Sequence, residues 1–231
     1  MKPSESLSPM ARPLVFLHGL GTGPSGWKPQ VAAFSETREV IVPSLVGTDL
    51  AETTAALDEL LWERDAVDLC GLSLGALVGL RYAAEHPERI ERLVACAGFV
   101  RLPRRYRAMQ AVVTAAMRLL SPSRMRRSLA GSVPERYRRP AADDLAALTP
   151  RAAARIMAAG TAFDLTTALP VLTMPVLVLC GERDRPNLPL SRRLAEALPD
   201  ARFETVPGAG HVANLDNPEA FTALLRDFLD G

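Results

Sequence analysis

The stretch Asp68-Leu69-Cys70-Gly71-Leu72-Ser73-Leu74-Gly75-Ala76-Leu77 constrains this chain more than any other. It holds a serine with glycine two residues away on each side, Gly71-x-Ser73-x-Gly75. A mostly apolar run, residues 66–70, leads in, and a helix-prone segment, residues 76–84, leads out. That reads as strand, sharp turn and helix. In this setting a serine is held in a strained backbone with its hydroxyl pushed out of the sheet. Side chains at 71 and 75 would collide with the neighbouring strand and helix, and glycine removes them. A glycine-rich turn with an idle serine has the same bare pattern. The partners available to Ser73 elsewhere in the chain decide between the two.

The rest of the chain alternates strand and helix. Short runs at 14–17, 40–42, 66–70, 90–96, 176–180 and 201–206 read as strands. Helices are predicted at 27–35, 53–62, from the turn at Ser73 to Pro87, at 191–198 and at 218–229. The last has Asn217 as its cap and Pro218 in its first turn. Such alternation implies a parallel sheet with helices on both faces. The predicted fold class is α/β, a three-layer α/β/α sandwich of about six parallel strands. Its core comprises residues 1–98 and 170–231, with residues 1–12 a loose arm.

Residues 99–169 break the alternation. Residues 104–120 are amphipathic, with Met109, Val112, Val113, Ala116, Met117 and Leu120 on the expected buried face. Pro122, Pro134, Pro140 and Pro150 are expected to divide the remainder into short helices, with Thr149-Pro150 as a cap and first-turn proline. So long an insertion predicts a helical cap over the carboxyl edge of the sheet, where α/β folds bind ligands.

Composition narrows the alternatives. The 231 residues are 48% apolar, enough for a substantial core, and the net charge of +1 gives no overall bias toward polyanions. Cys70, Cys96 and Cys180 each close an apolar run and read as buried reduced thiols, suggesting neither a disulfide framework nor a metal site. Residues 1–13 lack the apolar core of a signal peptide, and no run approaches the ~20 apolar residues of a membrane span. A soluble cytoplasmic protein is the expectation.

A serine hydroxyl needs a base to become a nucleophile. Of three histidines, His86 sits at a helix end and is expected to be solvated, and His18, before a glycine after the first strand, suits a loop-ordering role. His211, in Pro207-Gly208-Ala209-Gly210-His211, follows the sixth strand and is the expected base. Asp184, in Cys180-Gly181-Glu182-Arg183-Asp184, follows the fifth strand and can hold the imidazole, with Glu182 as the fallback acid. A developing oxyanion needs two preorganised N–H donors. Leu74, next to the nucleophile at a helix start, supplies one. Leu20, in His18-Gly19-Leu20-Gly21-Thr22-Gly23, supplies the other. This loop is neither G-x-G-x-x-G nor a P-loop, so nucleotide binding is not indicated, and no cofactor is called for.

These segments, with His86-Pro87-Glu88-Arg89, resemble those of α/β-hydrolase fold enzymes of the compact, cap-bearing kind. That group includes esterases, lactonases, C–C bond hydrolases and hydroxynitrile lyases. The chain order Ser73, Asp184, His211 is the family's order. The resemblance implies a serine hydrolase acting on a small-molecule ester, lactone or related carbonyl compound. Relatives usually carry two further strands before the first one here, so the sheet is expected to be all parallel. Many carry an aspartate and a Gly-x-Gly turn after the second strand. Here that loop reads Pro43-Ser44-Leu45-Val46-Gly47-Thr48, predicting one apolar pocket wall. The expected pocket lining is His18, Gly19, Leu45, Phe99, Met109, Met117, Phe163 and Val212. Met109, Met117, Met125 and Met157 could also be simple core.

Residues 101–140 hold 11 arginines and one acid, Glu135. The ordinary reading is a solvated helix face, with some pairing to acids of the core. The sharper reading is a dock for an anionic substrate or carrier, such as coenzyme A or an acyl carrier protein. That would point to thioester hydrolysis or acyl transfer, with C–C cleavage or cyclisation further uses of the same three residues. A membrane-surface role is a lesser reading. Nucleic acid is disfavoured, since Tyr106 and Tyr137 are the segment's only aromatics. A ligand-binding protein without turnover on the same scaffold is the reading outside enzymes.

Overall fold

Strands buried on both faces must send alternate side chains into two separate cores, and this sheet does so. The computed structural model describes residues 11–45 and 49–231. Its strands are β1 (Ala11–Leu17), β2 (Arg38–Ile41), β3 (Val67–Leu72), β4 (Ile90–Cys96), β5 (Val176–Gly181) and β6 (Ala201–Val206). All pair in parallel, in the order β2-β1-β3-β4-β5-β6. Val15, Leu17, Leu93, Ala95, Val176 and Val178 enter one core. Leu14, Phe16, Val94, Cys96, Leu177 and Leu179 enter the other.

The helices are α1 (Lys28–Phe34), α2 (Leu50–Leu61), α3 (Leu74–Glu85), α4 (Arg104–Met117), α5 (Pro122–Ala130), α6 (Glu135–Asp144), α7 (Pro150–Ala162), α8 (Leu188–Ala197), α9 (Ala213–Asp216) and α10 (Pro218–Asp230). Helices α2, α3 and α8 cover the first core with Leu57, Leu80 and Leu194. Helices α1 and α10 cover the second with Phe34, Phe221 and Leu225. There Phe16 stacks on Trp27 with ring centroids 4.6 Å apart. Burying each such side chain stabilises the fold by about 1.5–3 kcal/mol. Among the described residues no helix is long and apolar enough to cross a membrane.

The six parallel strands are those expected, with shifted ends. β1 starts three residues early at Ala11, and β3 runs on to Leu72, so the strand feeds directly into Ser73. α2 starts at Leu50, three residues before the expected start at 53, because the Asp49 carboxylate accepts from the Glu52 N–H at 2.9 Å. Asn217 caps α10 through the Ala220 N–H as expected. The expected arm at 1–12 lies outside the described residues except for Ala11 and Arg12, which belong to β1.

Four helices, α4 to α7, fill the stretch between β4 and β5. Pro122 and Pro150 open α5 and α7, and Pro134 precedes α6. Pro140 does not divide anything. It sits inside α6, which tolerates the loss of one N–H donor. The expected inward face of α4 is also corrected. Thr114 and Met117 are buried, while Met109, Val112 and Val113 are 56%, 70% and 42% exposed. Met117 and Met125 pack with Ala153 and Ala154 of α7 in a small separate cluster.

Strand order reverses between β1 and β3. The chain leaves β1 for β2 on one side, then returns to lay β3 on the other. Loops from the carboxyl ends of β1 and β3 therefore diverge and leave a crevice. At the opposite end, buried Asp68 is held by Arg38 at 2.8 Å, with Arg92 at 3.9 Å, remote from that crevice.

Candidate functional site

Ser73 occupies the turn between β3 and α3 with φ 54° and ψ −112°, a conformation costing about 1–3 kcal/mol in a non-glycine residue. Its N–H donates to the Cys96 carbonyl at 2.8 Å, and its carbonyl accepts from the Leu77 N–H at 3.1 Å. The flanking glycines are needed for space. A Cβ at Gly71 would lie 2.3 Å from the Gly75 oxygen, and one at Gly75 would lie 2.0 Å from the Leu17 oxygen.

The loops after β5 and β6 bring the other two groups to this serine. Asp184 is 5% exposed, and its N–H donates to the Gly181 carbonyl at 3.0 Å. Gly181 lets the histidine loop close in, because a Cβ there would lie 2.0 Å from the Gly210 oxygen. His211 Nε2 then stands 3.0 Å from Ser73 Oγ, and Nδ1 stands 2.7 Å from Asp184 Oδ2. The acceptor-only carboxylate fixes the imidazole proton on Nδ1 and leaves Nε2 free to accept from the serine hydroxyl. Burial by itself would raise the Asp184 carboxyl. The bonds from His211 and Asn187 outweigh it and hold the group below the ordinary carboxylate range.

Asn187 was not foreseen. Its Nδ2 donates to both Asp184 oxygens, at 2.9 and 3.0 Å, and stands 3.3 Å from His211 Nδ1. The signal available was an asparagine three residues after the acid, at the start of a helix, where Asn side chains and backbone close on each other. Glu182, the fallback acid, instead accepts from the Gly208 N–H at 2.7 Å and braces the loop that carries His211.

His18 orders loops. It is 8% exposed, with Nδ1 2.9 Å from the Gly19 carbonyl and Nε2 accepting from the Leu45 N–H at 3.0 Å. Burial lowers its pKa, opposed by the Gly19 bond and the charge of Asp144. The ring is thus a neutral strut between the loops after β1 and β2. His86 is half-buried rather than solvated, with its ring 4.9 Å from Tyr82 and Nε2 3.8 Å from Asp58. The cysteines are buried and unpaired, and burial pushes the Cys180 thiol up to about 12. None is a nucleophile at neutral pH. Among the described residues no cluster of three His, Cys, Asp or Glu is placed to hold a metal ion.

A cleft of about 300 Å³ opens beside Ser73 and His211. Leu20 and Leu74 line it on the sheet side. Leu74 is the first residue of α3, so its N–H has no acceptor within the helix. Of the expected lining, Phe99 and Met109 are present. Met117 faces the small cluster with Met125, Phe163 packs edge-on behind Phe99, and Val212 is buried in the second core. His18, Gly19 and Leu45 lie behind the wall. Gly19 backs onto Leu72 and Ser73, and Leu45 packs into the first core. The expected apolar wall from the loop at 43–48 does not involve Leu45, and Val46, Gly47 and Thr48 lie outside the described residues. The walls come instead from Leu77 and Leu190 of the core and from Tyr106, Ile156 and Met157 of α4 and α7.

The loop after β1 is clamped from the far side by the insertion. A Cβ on Gly21 would lie 2.8 Å from the Leu129 oxygen of α5. Gly23, with φ +70°, leaves room for Asp144 of α6, whose carboxylate accepts from the Ser25 N–H at 2.8 Å. The 11 arginines of residues 101–140 are mostly exposed, as a solvated helix face has them. Their pairing with acids is sparse among the described residues: Arg101 lies 4.0 Å from Asp164, whose carboxyl also feels the charge of Arg107.

Known proteins resemble this chain over most of its length. A model of the alpha/beta hydrolase family matches residues 14–224. A pimeloyl-[acyl-carrier protein] methyl ester esterase from Aromatoleum aromaticum is 33% identical, over 96% of this chain and all of that protein. A relative from Yersinia enterocolitica, whose name offers carbamate hydrolysis as a candidate activity, is 28% identical over 96% of this chain and 88% of its own. Among solved structures, the enol-lactonase from Burkholderia xenovorans LB400 superposes with a TM-score of 0.79 at 26% identity, covering 96% of this chain and 92% of that one. With the strained serine turn and the parallel sheet, these matches make the chain an enzyme of the alpha/beta hydrolase family.

Proposed function

We infer that this enzyme hydrolyses a carboxylic ester or lactone through an acyl-enzyme on Ser73. The observation that carries the reading is the contact of Ser73 Oγ with His211 Nε2 at 3.0 Å, backed by Asp184 at 2.7 Å from Nδ1. Ser73 Oγ attacks the substrate carbonyl and gives its proton to His211 Nε2. Asp184 stabilises the imidazolium without taking the proton. The Leu20 and Leu74 N–H groups hold the oxyanion. His211 returns the proton to the leaving oxygen as the C–O bond breaks. A water molecule, deprotonated by His211, then attacks the acyl carbon, and the ester bond to Ser73 breaks as His211 returns that proton to Oγ. The insertion, residues 99–169, acts as a cap that supplies the apolar walls. The names of the esterase and the lactonase support this substrate class. On a panel of p-nitrophenyl esters and lactones, Ser73→Ala is expected to lower turnover by at least roughly a thousandfold. Full activity in that variant rules the mechanism out.

The exposed arginines of residues 101–140, sparsely matched by carboxylates, favour one second reading, in which the acyl group arrives on an anionic carrier. The relative that acts on an acyl-carrier-protein ester supports it. If it holds, raising salt weakens apparent affinity for a carrier-bound ester far more than for a neutral one.

A further inference from the structure

Helix α4 keeps Met117 inside but turns most of its other apolar side chains outward. Residues 108–117, Ala-Met-Gln-Ala-Val-Val-Thr-Ala-Ala-Met, carry no charge. The two polar side chains point inward. Thr114 is 7% exposed with its hydroxyl unpartnered among the described residues, and Gln110 lines the cleft. The outward face is apolar, with Val112 and Val113 at 70% and 42% exposure and Leu119, just past the helix, at 87%. The alanines at 108, 111, 115 and 116 are exposed between them. Four of the seven large apolar side chains exposed among the described residues lie on this one element or its end. An unpartnered apolar face of this kind is a docking surface by default.

What covers it is constrained by charge and shape. Arg104, Arg105 and Arg107 bracket the run at one end and Arg118 at the other, with only Arg107 close enough to a carboxylate, that of Asp164, for its charge to be felt there. A second copy of this chain laid along α4 in either direction would set arginines against arginines, with Glu135 the only acid in residues 101–140. The occupant must therefore bring negative charge around an apolar surface. Val112 and Leu119 stand 70% and 87% exposed, with Ala111 and Ala115 exposed beside them, so the face stands out into solvent as a ridge. An apolar ridge rimmed by cations suits insertion among headgroups, with arginines at the phosphates and valines among the acyl chains. We propose that α4 docks this enzyme on anionic lipid surfaces through Met109, Val112, Val113 and Leu119. Met109 also lines the cleft, so the docked interface lies against the cleft mouth.

The test is co-sedimentation of the Ser73→Ala protein with phosphatidylcholine vesicles, with and without phosphatidylglycerol, which reads docking independently of turnover. Partitioning onto anionic vesicles is expected, at least roughly tenfold weaker on pure phosphatidylcholine. Val112→Asp with Val113→Asp should lower it a further tenfold or so, with the thermal melting profile unchanged because both side chains are exposed. Arg105→Glu with Arg118→Glu should lower it by more than about twentyfold, each lost cation being worth about fivefold. Protein that stays in the supernatant overturns the proposal, whether it is monomeric, dimeric through α4 or bound to an acidic protein. Partitioning unaffected by the valine substitutions overturns it too, since simple charge attraction would then suffice.

Discussion

Gly75→Ala is the smallest change that tests how the serine turn is built. The added Cβ would sit 2.0 Å from the Leu17 oxygen, 2.5 Å from its carbonyl carbon and 2.9 Å from the His18 oxygen. All three are backbone atoms at the end of β1, so no side chain can swing aside. Restoring even a tight contact requires α3 and β1 to part by about 1 Å. Overpacking of this kind costs about 1–3 kcal/mol, and the rigid sheet puts Gly75 at or above the upper end. The movement also carries Ser73 away from His211 and away from Leu20. A misplacement near 1 Å lowers turnover by on the order of a hundredfold. Gly208→Ala is the control. Gly208 has φ +64° but nothing within 4 Å of its Cβ position, so it should cost about 1–2 kcal/mol of backbone strain with little change in turnover. Urea denaturation gives the stability of each variant, and steady-state hydrolysis gives the turnover. A Gly75→Ala enzyme with a wild-type midpoint and turnover within about threefold of wild type would refute close packing of the elbow against β1.

Asn187→Ala should strip the buried Asp184 carboxylate of a two-oxygen donor, destabilise the protein by about 1–3 kcal/mol and move the acid limb of the kcat/KM pH profile upward. An unmoved limb would mean that His211 alone sets the carboxylate. Below pH ~6.5 the unfolded chain protonates His18 while the buried ring resists, because its folded pKa is lowered. The stability contributed by neutral His18 is therefore complete above that pH and declines as pH falls through it. Thermal melts from pH 8 to 5 should show this slope, and it should shrink in His18→Leu, itself less stable at pH 8 through loss of the Leu45 bond. An equal slope in both proteins would place the titration elsewhere.

The legible parts of the sequence were those decided over a few residues. Ser73, Asp184 and His211 each stand just past a strand that is apolar on both faces, so local pattern and parallel pairing together bring them to one edge. Leu20 and Leu74 line the cleft at the same edge. The cleft walls were not legible, because they depend on how α4 and α7 rotate against the core. Met109 and Met117 are eight residues apart, which on an α-helix turns them by about 80° relative to each other, enough to send one to the cleft and the other to a separate cluster. A periodicity count treats the apolar arc of α4 as a packing face. It cannot see that the packing falls on Gln110, Thr114 and Met117 and leaves Val112 and Val113 outside. Asn187 was missed because its role depends on a carboxylate three residues away folding back onto it.

The clamp on the loop after β1 has a consequence for exchange of parts between enzymes. Leu20 sits on a strip of backbone gripped by the elbow through Gly19 and by the insertion at Gly21 and Gly23. A foreign helical segment grafted between β4 and β5 would replace Leu129 and Asp144 and leave that strip held from one side only. The insertion is therefore not a detachable module. Its α5–α6 half braces the loop after β1, and the portable half is α4 with α7, the part that lines the cleft. Grafts that respect this seam should retain turnover while changing what is turned over.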